Sequence, residues 1–305
     1  GLRVMNPDRA TDWMAFLGAS YFRSAGPDNQ YGQSARAVAV NTAGAGAEEF
    51  PRFTRLYVEN TDPGACVLTV YGLLDGPSLT GAVRLVCRRA DPVTQDVSVR
   101  LFLRREVQRL GIAPLTSMYW YAERDRPPNA DWRPEIHDTD GLALWTASGE
   151  RLWRPLANPA QVRVSAFAAD RVRGFGLLQR DRNFDHYQDD GAWYDRRPGV
   201  WVQPLGDWGE GAVELVEIPT RDETHDNIVA LWRPRRPARA GDTPAYDYRL
   251  HWVREEPWPP ATARVVHTFA GRTGVPGQGH HDRPGRKYVI DFAGPAVATL
   301  AQRYD

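Results

Sequence analysis

The apolar residues of this chain fall in short runs, rich in Val, Leu and aromatics, that are broken every few residues by turn formers. Arg55–Glu59, Cys66–Leu74, Ala82–Cys87 and Val97–Leu103 are separated by Asp62-Pro63-Gly64 and Asp75-Gly76-Pro77, and similar runs follow at Leu142–Thr146, Val162–Phe167, Phe175–Gln179, Val200–Gln203, Ala212–Ile218, Ile228–Trp232 and Tyr246–Val253. Closely spaced strands with turn signals between them are the pattern of an all-β protein. No repeat and no strand–helix–strand rhythm occurs, which argues against an open parallel α/β sheet. Two short stretches read as helical: the residues after Thr11, which offer an N-terminal cap before an apolar run, and Arg104–Leu110, closed by Gly111. Gly26-Pro27 marks a turn, and the polar, Gly-rich stretch from Gly271 to Gly285 marks a boundary. The division expected is therefore a main domain over 1–270, a linker over 271–285, and the first strand of another module over 286–305.

At 305 residues the chain is long enough to bury a sizeable core. Its 38 basic and 38 acidic residues cancel, so nothing in the net charge recommends nucleic acid or an anionic membrane as a partner. Lys287 is the only lysine, leaving the basic side to arginine, which bonds in a fixed planar geometry. Eleven Trp and twelve Tyr suit either core packing or the stacking of sugar rings. Cys66 and Cys87 lie in neighbouring runs and are open to either a cross-strand bridge or two free thiols. No apolar stretch approaches the roughly 20 residues a membrane helix needs, and no signal peptide is visible. Gly1 opens the chain inside strand-like sequence, which reads as a mature or truncated form.

Three polar loops carry the titratable groups. The first lies between apolar runs ending at Pro219 and starting at Ile228, and holds Arg221, Asp222, Glu223, Thr224, His225, Asp226 and Asn227. It reads either as a solvated turn or as half of an acid/base site. The second, Arg133–Gly141, sets Glu135, Asp138 and Asp140 around His137, and the third, Arg180–Pro198, mixes five aspartates with arginines and with Tyr187, Trp193 and Tyr194. So dense a mixture of charges in the third loop also suits a structural ion-pair network. Glycoside hydrolysis needs two carboxyl groups, one protonated and one ionised, and two such loops brought together would supply them. The His/Asp groupings at 137–140 and 222–226 have no established metal-ligand spacing, and His280-His281-Asp282 lies in the Gly-rich tail, so neither a metal nor a cofactor is expected. A phosphate-binding Gly-rich loop and a Gly-x-Ser-x-Gly elbow are both missing.

Nine ordered blocks of sequence resemble the periplasmic glucan biosynthesis proteins of the OpgG/OpgD (MdoG/MdoD) family. They are Gly18–Arg23, Tyr31–Arg36, Glu48–Pro51, Ala113–Met118, Arg133–Asp138, Trp153–Leu156, Gly174–Arg180, Gly209–Thr220 and Asp226–Val229. The resemblance implies a periplasmic protein built on a large, galactose mutarotase-like β-sandwich (a supersandwich), without its first strands, followed by the start of an immunoglobulin-like C-terminal domain. It implies action on β-1,2-glucan as an anomer-inverting endo-glucanase or transglycosylase, with Asp226 as general acid, Asp138 as base and Tyr194 in a proton relay. Glu223, Thr224 and Arg197 are then expected sugar contacts, as are Arg23, Tyr31, Trp153, Arg180 and Trp201. The partners it implies are the glucan itself, the membrane glucan-synthesis machinery and a second copy of the chain; the alternative role is a non-catalytic glucan-binding scaffold. Two departures from the family pattern carry expectations: Arg151 removes an aromatic surface, and a protonated His225 would lower the pKa of Asp226.

Overall fold

Strand period sets the burial of each run. Along Val93–Leu103 the odd-numbered residues Val93, Gln95, Val97, Val99, Leu101 and Leu103 are buried, while the intervening Thr94, Asp96, Ser98, Arg100 and Phe102 face outward. A computed structural model describes residues 1–6, 10–62, 66–274, 285–298 and 300; the His280-His281-Asp282 motif lies outside the described residues. Its strands form two nine-stranded antiparallel sheets. The first runs in the order Leu2–Met5, Asp12–Phe16, Tyr21–Ser24, Ser34–Arg36, Leu110–Ser117, Ile228–Pro234, Gly211–Glu217 and Arg163–Ala169, with Ala39–Val40 also paired to the strand that starts at Leu110. The second runs Arg151–Pro155, Gly141–Thr146, Val172–Leu178, Gly199–Leu205, Ala245–Val253, Val93–Leu103, Leu79–Arg88, Val67–Asp75 and Arg52–Asp62.

The two sheets share one apolar core, to which the first contributes Met14, Phe22, Leu115, Leu215, Ala230 and Trp232 and the second Val70, Leu85, Val99, Phe175, Val202, Leu250 and Trp252. This is the all-β fold that the strand pattern predicts, in the sandwich form that the family resemblance implies. Each fully buried Leu, Val or Phe contributes about 1.5–3 kcal/mol. Trp13, Trp208, Trp232 and Trp252 are buried in this core, and Trp201 in a smaller cluster with Ala143, Leu178 and Val253. Gly174 is needed beside one of them, because a Cβ there would collide with the Trp201 indole.

Neither predicted helix forms. Asp12–Phe16 is a strand, since pairing on both sides, to Leu2–Met5 and to Tyr21–Ser24, outweighs the local capping signal. Arg104–Leu110 is an irregular crossing in which Val107 bridges to Ala238, and Gly111 sits inside the next strand. Cys66 and Cys87 are free thiols, Cys66 exposed and Cys87 buried, and they are out of register, with Cys87 opposite Leu68.

The chain divides between Pro257 and Trp258. The second unit is a hairpin in which Arg264–Arg272 pairs with Arg286–Ala293, followed by the helical turn Pro295–Ala298. The strand at 264–272 thus belongs with the strand beyond the Gly-rich stretch, seven residues after the division itself. Among the described residues no helix is long and apolar enough to cross a membrane.

Candidate active site

Antiparallel register brings several strand ends to one edge of the first sheet. Thr116 pairs with Ser34, and Ser117 and Glu217 both pair with Ile228, so the segments that continue from these ends meet. The turn after Phe16 closes the same edge. A cavity of about 520 Å³ opens there, walled by Tyr21, Arg23, Ser34, Met118 and the loop residues Asp138, Arg197, Glu223 and Asp226. Two other hollows, of about 640 and 900 Å³, contain acids already neutralised by arginine, Glu214 with Arg109 and Arg233, and Glu210 with Arg235.

The two acidic loops face each other because of one amide side chain. Asn227, buried just after Asp226, accepts from the backbone N–H of Tyr119 (2.8 Å) and donates to the carbonyls of Tyr119 and Ile218 (2.9 Å each). Tyr119 in turn pairs with His137, the residue before Asp138, and the Asp138 N–H donates to the Met118 carbonyl at 2.9 Å. Asn158 repeats the device, accepting from Thr220 N–H (2.9 Å) and donating to the carbonyls of Thr220 (2.8 Å) and Trp120 (3.1 Å). Side-chain bonds across 108 and 62 residues therefore set the distance between the loops.

The carboxylates differ in environment. Asp138 is buried and ion-paired with the Arg197 guanidinium, which also lies 4.1 Å over the Tyr194 ring. Asp226 is open to solvent through the cleft mouth, but protein crowds its remaining sides. That partial desolvation, and next the charge of Asp138, push its carboxyl above the ordinary range against the opposing pull of Arg23, Arg36 and Arg197. Glu223 is the reverse case: burial would raise it, yet hydrogen bonds from Arg133 and Tyr194 win and hold it low. Arg133 forks to both Glu223 oxygens (2.9 Å each) while also holding Asp189 (2.7 Å) and Asp131 (2.9 Å). Its charge is held firmly: burial opposes it, and the three carboxylates outweigh burial. Of the third loop's aspartates Asp189 joins this network, while Arg182 bonds to backbone carbonyls and Arg197 to Asp138.

Of the expected site residues, Asp138, Asp226, Arg197, Glu223 and Arg23 line the cavity. Tyr194 is buried behind them and gives its hydroxyl to Glu223. Tyr31 lies under Arg23, 4.6 Å from its guanidinium, with its hydroxyl on Asp12 at 3.0 Å. Thr224 sits on the exposed face of its turn, bonded to Asp222. Trp153, Arg180 and Trp201 are not among the cavity residues. Trp201 is core, with 1% of its surface exposed, and Trp153 is covered by the Arg180 guanidinium at 3.5 Å. Arg151 lies 4.0 Å over the Trp145 ring and pairs with Glu256, so it covers an aromatic face of its own. His225 turns to Asp222 (3.1 Å), away from any role in the Asp226 shift, and the expected lowering of Asp226 is not found. Asp222 is a turn residue, held at about 2 by Thr224 first and then by His225. Reading by residue type missed Asn227, Asn158 and Arg133, whose partners lie far away in sequence.

Comparison with known proteins follows the same line. A profile of the family described as periplasmic glucan biosynthesis protein, MdoG, matches residues 1–305. "Glucans biosynthesis protein D 2" of Ralstonia nicotianae is 54% identical over 288 residues, which is 94% of this chain and 53% of the relative. "Probable glucans biosynthesis protein D" of Shewanella oneidensis is 50% identical over 303 residues, 99% of this chain and 56% of that protein. "Glucans biosynthesis protein D" of Xylella fastidiosa is 51% identical over 296 residues, 96% and 55% respectively. The chain spans about half the length of these curated relatives.

Proposed function

The chain belongs to the MdoG family of periplasmic glucan biosynthesis proteins, and from that premise we propose that it works in the periplasm on β-1,2-linked glucan, as an inverting endo-glucanase or transglycosylase. One observation carries the reading: two aspartates share one cleft, with Asp226 pushed toward its protonated form and Asp138 held by the Arg197 guanidinium. Such a split assigns acid and base in glycoside hydrolysis. Asp226 gives its proton to the glycosidic oxygen as the bond from C1 breaks, and a glucan that displaces water from the cleft would raise its pKa further. Water attacks C1 from the opposite face, and its proton passes toward Asp138.

Tyr194 serves as the relay in this scheme when its hydroxyl turns from Glu223 to the attacking water. Arg197, stacked on Tyr194 and bonded to Asp138, keeps both ends of the relay on one frame. Glu223, fixed by Arg133, and Arg23 are placed to bind sugar hydroxyls along the wall. The test is chain length. Linear β-1,2-glucan incubated with the protein should give shorter or cyclic products by size chromatography, and the folded Asp226→Asn variant should give none. Unchanged chains with the unmodified protein, or a wild-type rate in the variant, would overturn the reading.

A further inference from the structure

Among the described residues of the first unit most buried acids have an arginine on them: Glu214 with Arg109, Glu217 with Arg154 and Arg163, Asp138 with Arg197, Asp189 with Arg133. Glu135 does not. Its side chain is 7% exposed and its one bonded oxygen, Oε2, faces His137 Nε2 at 2.6 Å; among the described residues Oε1 has no hydrogen bond. Two further groups converge on it. Glu123, in the turn Glu123–Asp125, and His186, in the helical turn Phe184–Tyr187, each offer a ligand atom, and these atoms and one from Glu135 all lie within 4.8 Å of one another. Glu123 makes no ion pair or hydrogen bond among the described residues, its neighbours Arg124 and Arg126 being turned to Leu156 and Asp131. Neither carboxylate has an arginine on it among the described residues, and Glu135 is met by the His137 imidazole alone.

The tautomer of the His186 imidazole is set by its neighbours. Asp181 Oδ2 lies 2.6 Å from His186 Nδ1, which fixes the N–H there, and Asn183 Nδ2, whose amide is set by the Asp185 N–H on Oδ1, lies 3.2 Å from Nε2. Nε2 is thus the acceptor, its lone pair meeting the Asn183 amide, which an ion bound there would displace. A carboxylate behind each ring is the usual outer support of a metal-binding histidine, and His137, held in turn by Gln179 at 3.0 Å, supports Glu135 in the same way. We propose that Glu123, Glu135 and His186 bind one divalent transition-metal ion of the zinc or manganese class, with water completing the shell. An imidazole with two carboxylates disfavours calcium and magnesium. At zinc bond lengths the ligand atoms stand about 3.3 Å apart, so the exposed Glu123 closes inward on binding. The ion would brace the turn, the strand that leads into Asp138 and the helical turn that precedes Tyr194. The site does not depend on the glucan reading.

The test is calorimetric titration of the chelator-treated 305-residue chain with Zn²⁺ and with Mn²⁺, with Tm recorded alongside. One equivalent should bind and raise Tm; Mg²⁺ should do neither. His186→Ala and Glu123→Gln, each on an accessible side chain, should abolish binding, Asp181→Asn should weaken it about 10–100-fold, and the double variant His280→Ala/His281→Ala should retain it. No binding by the unmodified chain, binding that survives both His186→Ala and Glu123→Gln, or loss in the 280/281 variant would overturn the proposal; if His186→Ala does not fold, Glu123→Gln decides alone.

Discussion

The loop that carries Asp226 and the loop that carries Asp138 hold the same chemical group in opposite ways. The 219–227 loop is an exposed turn tied to itself by Asp222 and to the fold by Asn158 and Asn227, and the Asp226 carboxyl faces the cleft with no ion pair among the described residues. The 133–140 loop is buried, and every acid in it is bonded: Asp138 to Arg197, Glu135 to His137, Asp140 to the N–H groups of Arg180 and Asp181. On the proposed reading, neighbours decide which aspartate is the acid and which the base. Proximity then adds to the difference, because the Asp138 charge itself helps to keep the proton on Asp226.

The largest break in this comparison is to remove either carboxyl. Asp226→Asn and Asp138→Asn should each lower the rate of glucan cleavage by at least about 10²–10⁴-fold, measured by reducing ends, with circular dichroism unchanged. Next in size is the clamp between the loops. Asn227→Ala strands the Tyr119 N–H and two carbonyls in a buried site, and should cost about 2–4 kcal/mol of stability in urea unfolding as well as most of the activity.

A smaller change sharpens the protonation difference. Arg23 pulls the Asp226 pKa down, so Arg23→Gln should raise it. A general acid works only while protonated, so activity falls as pH rises through its pKa, and the high-pH limb of the rate profile should move upward in this variant. Stability follows the same sign. A carboxyl raised in the fold binds its proton more tightly there than in the unfolded chain, so its contribution is complete below the ordinary carboxylate pKa and fades as pH climbs through the raised value. Tm measured against pH should therefore be higher for Asp226→Asn than for the unmodified chain at pH 7, with the gap closing near pH 3. Smallest of all, His225→Ala should change the rate by less than about threefold, since His225 faces Asp222 on the exposed side of its turn.

How much of this was legible follows from the range of each interaction. Strands and turns are written in neighbouring residues, and the all-β class was readable from them, the sandwich only from the family resemblance; the two predicted helices failed where pairing partners distant in sequence outvoted a local signal, as Leu2–Met5 and Tyr21–Ser24 do around Asp12–Phe16. The acidic loops were visible as polar breaks between apolar runs. Family resemblance, not residue type, picked Asp138 and Asp226 within them. Asn227, Asn158 and Arg133 looked like ordinary loop residues because their roles are set by backbone and carboxylate groups 108, 62 and 90 residues away. Trp201 was expected as a sugar contact for a related reason: on the strand face opposite Val200 and Val202, beside Gly174, it is buried against Ala143, Leu178 and Val253, partners distant in sequence.

The central claim, an acid and a distant base acting on opposite faces of one β-linked sugar, is tested most directly by the anomeric configuration of the first product. Proton NMR recorded during early turnover of linear β-1,2-glucan should show the α signal first, at a new reducing end or a new linkage. A β signal first, or no turnover at all, would contradict it.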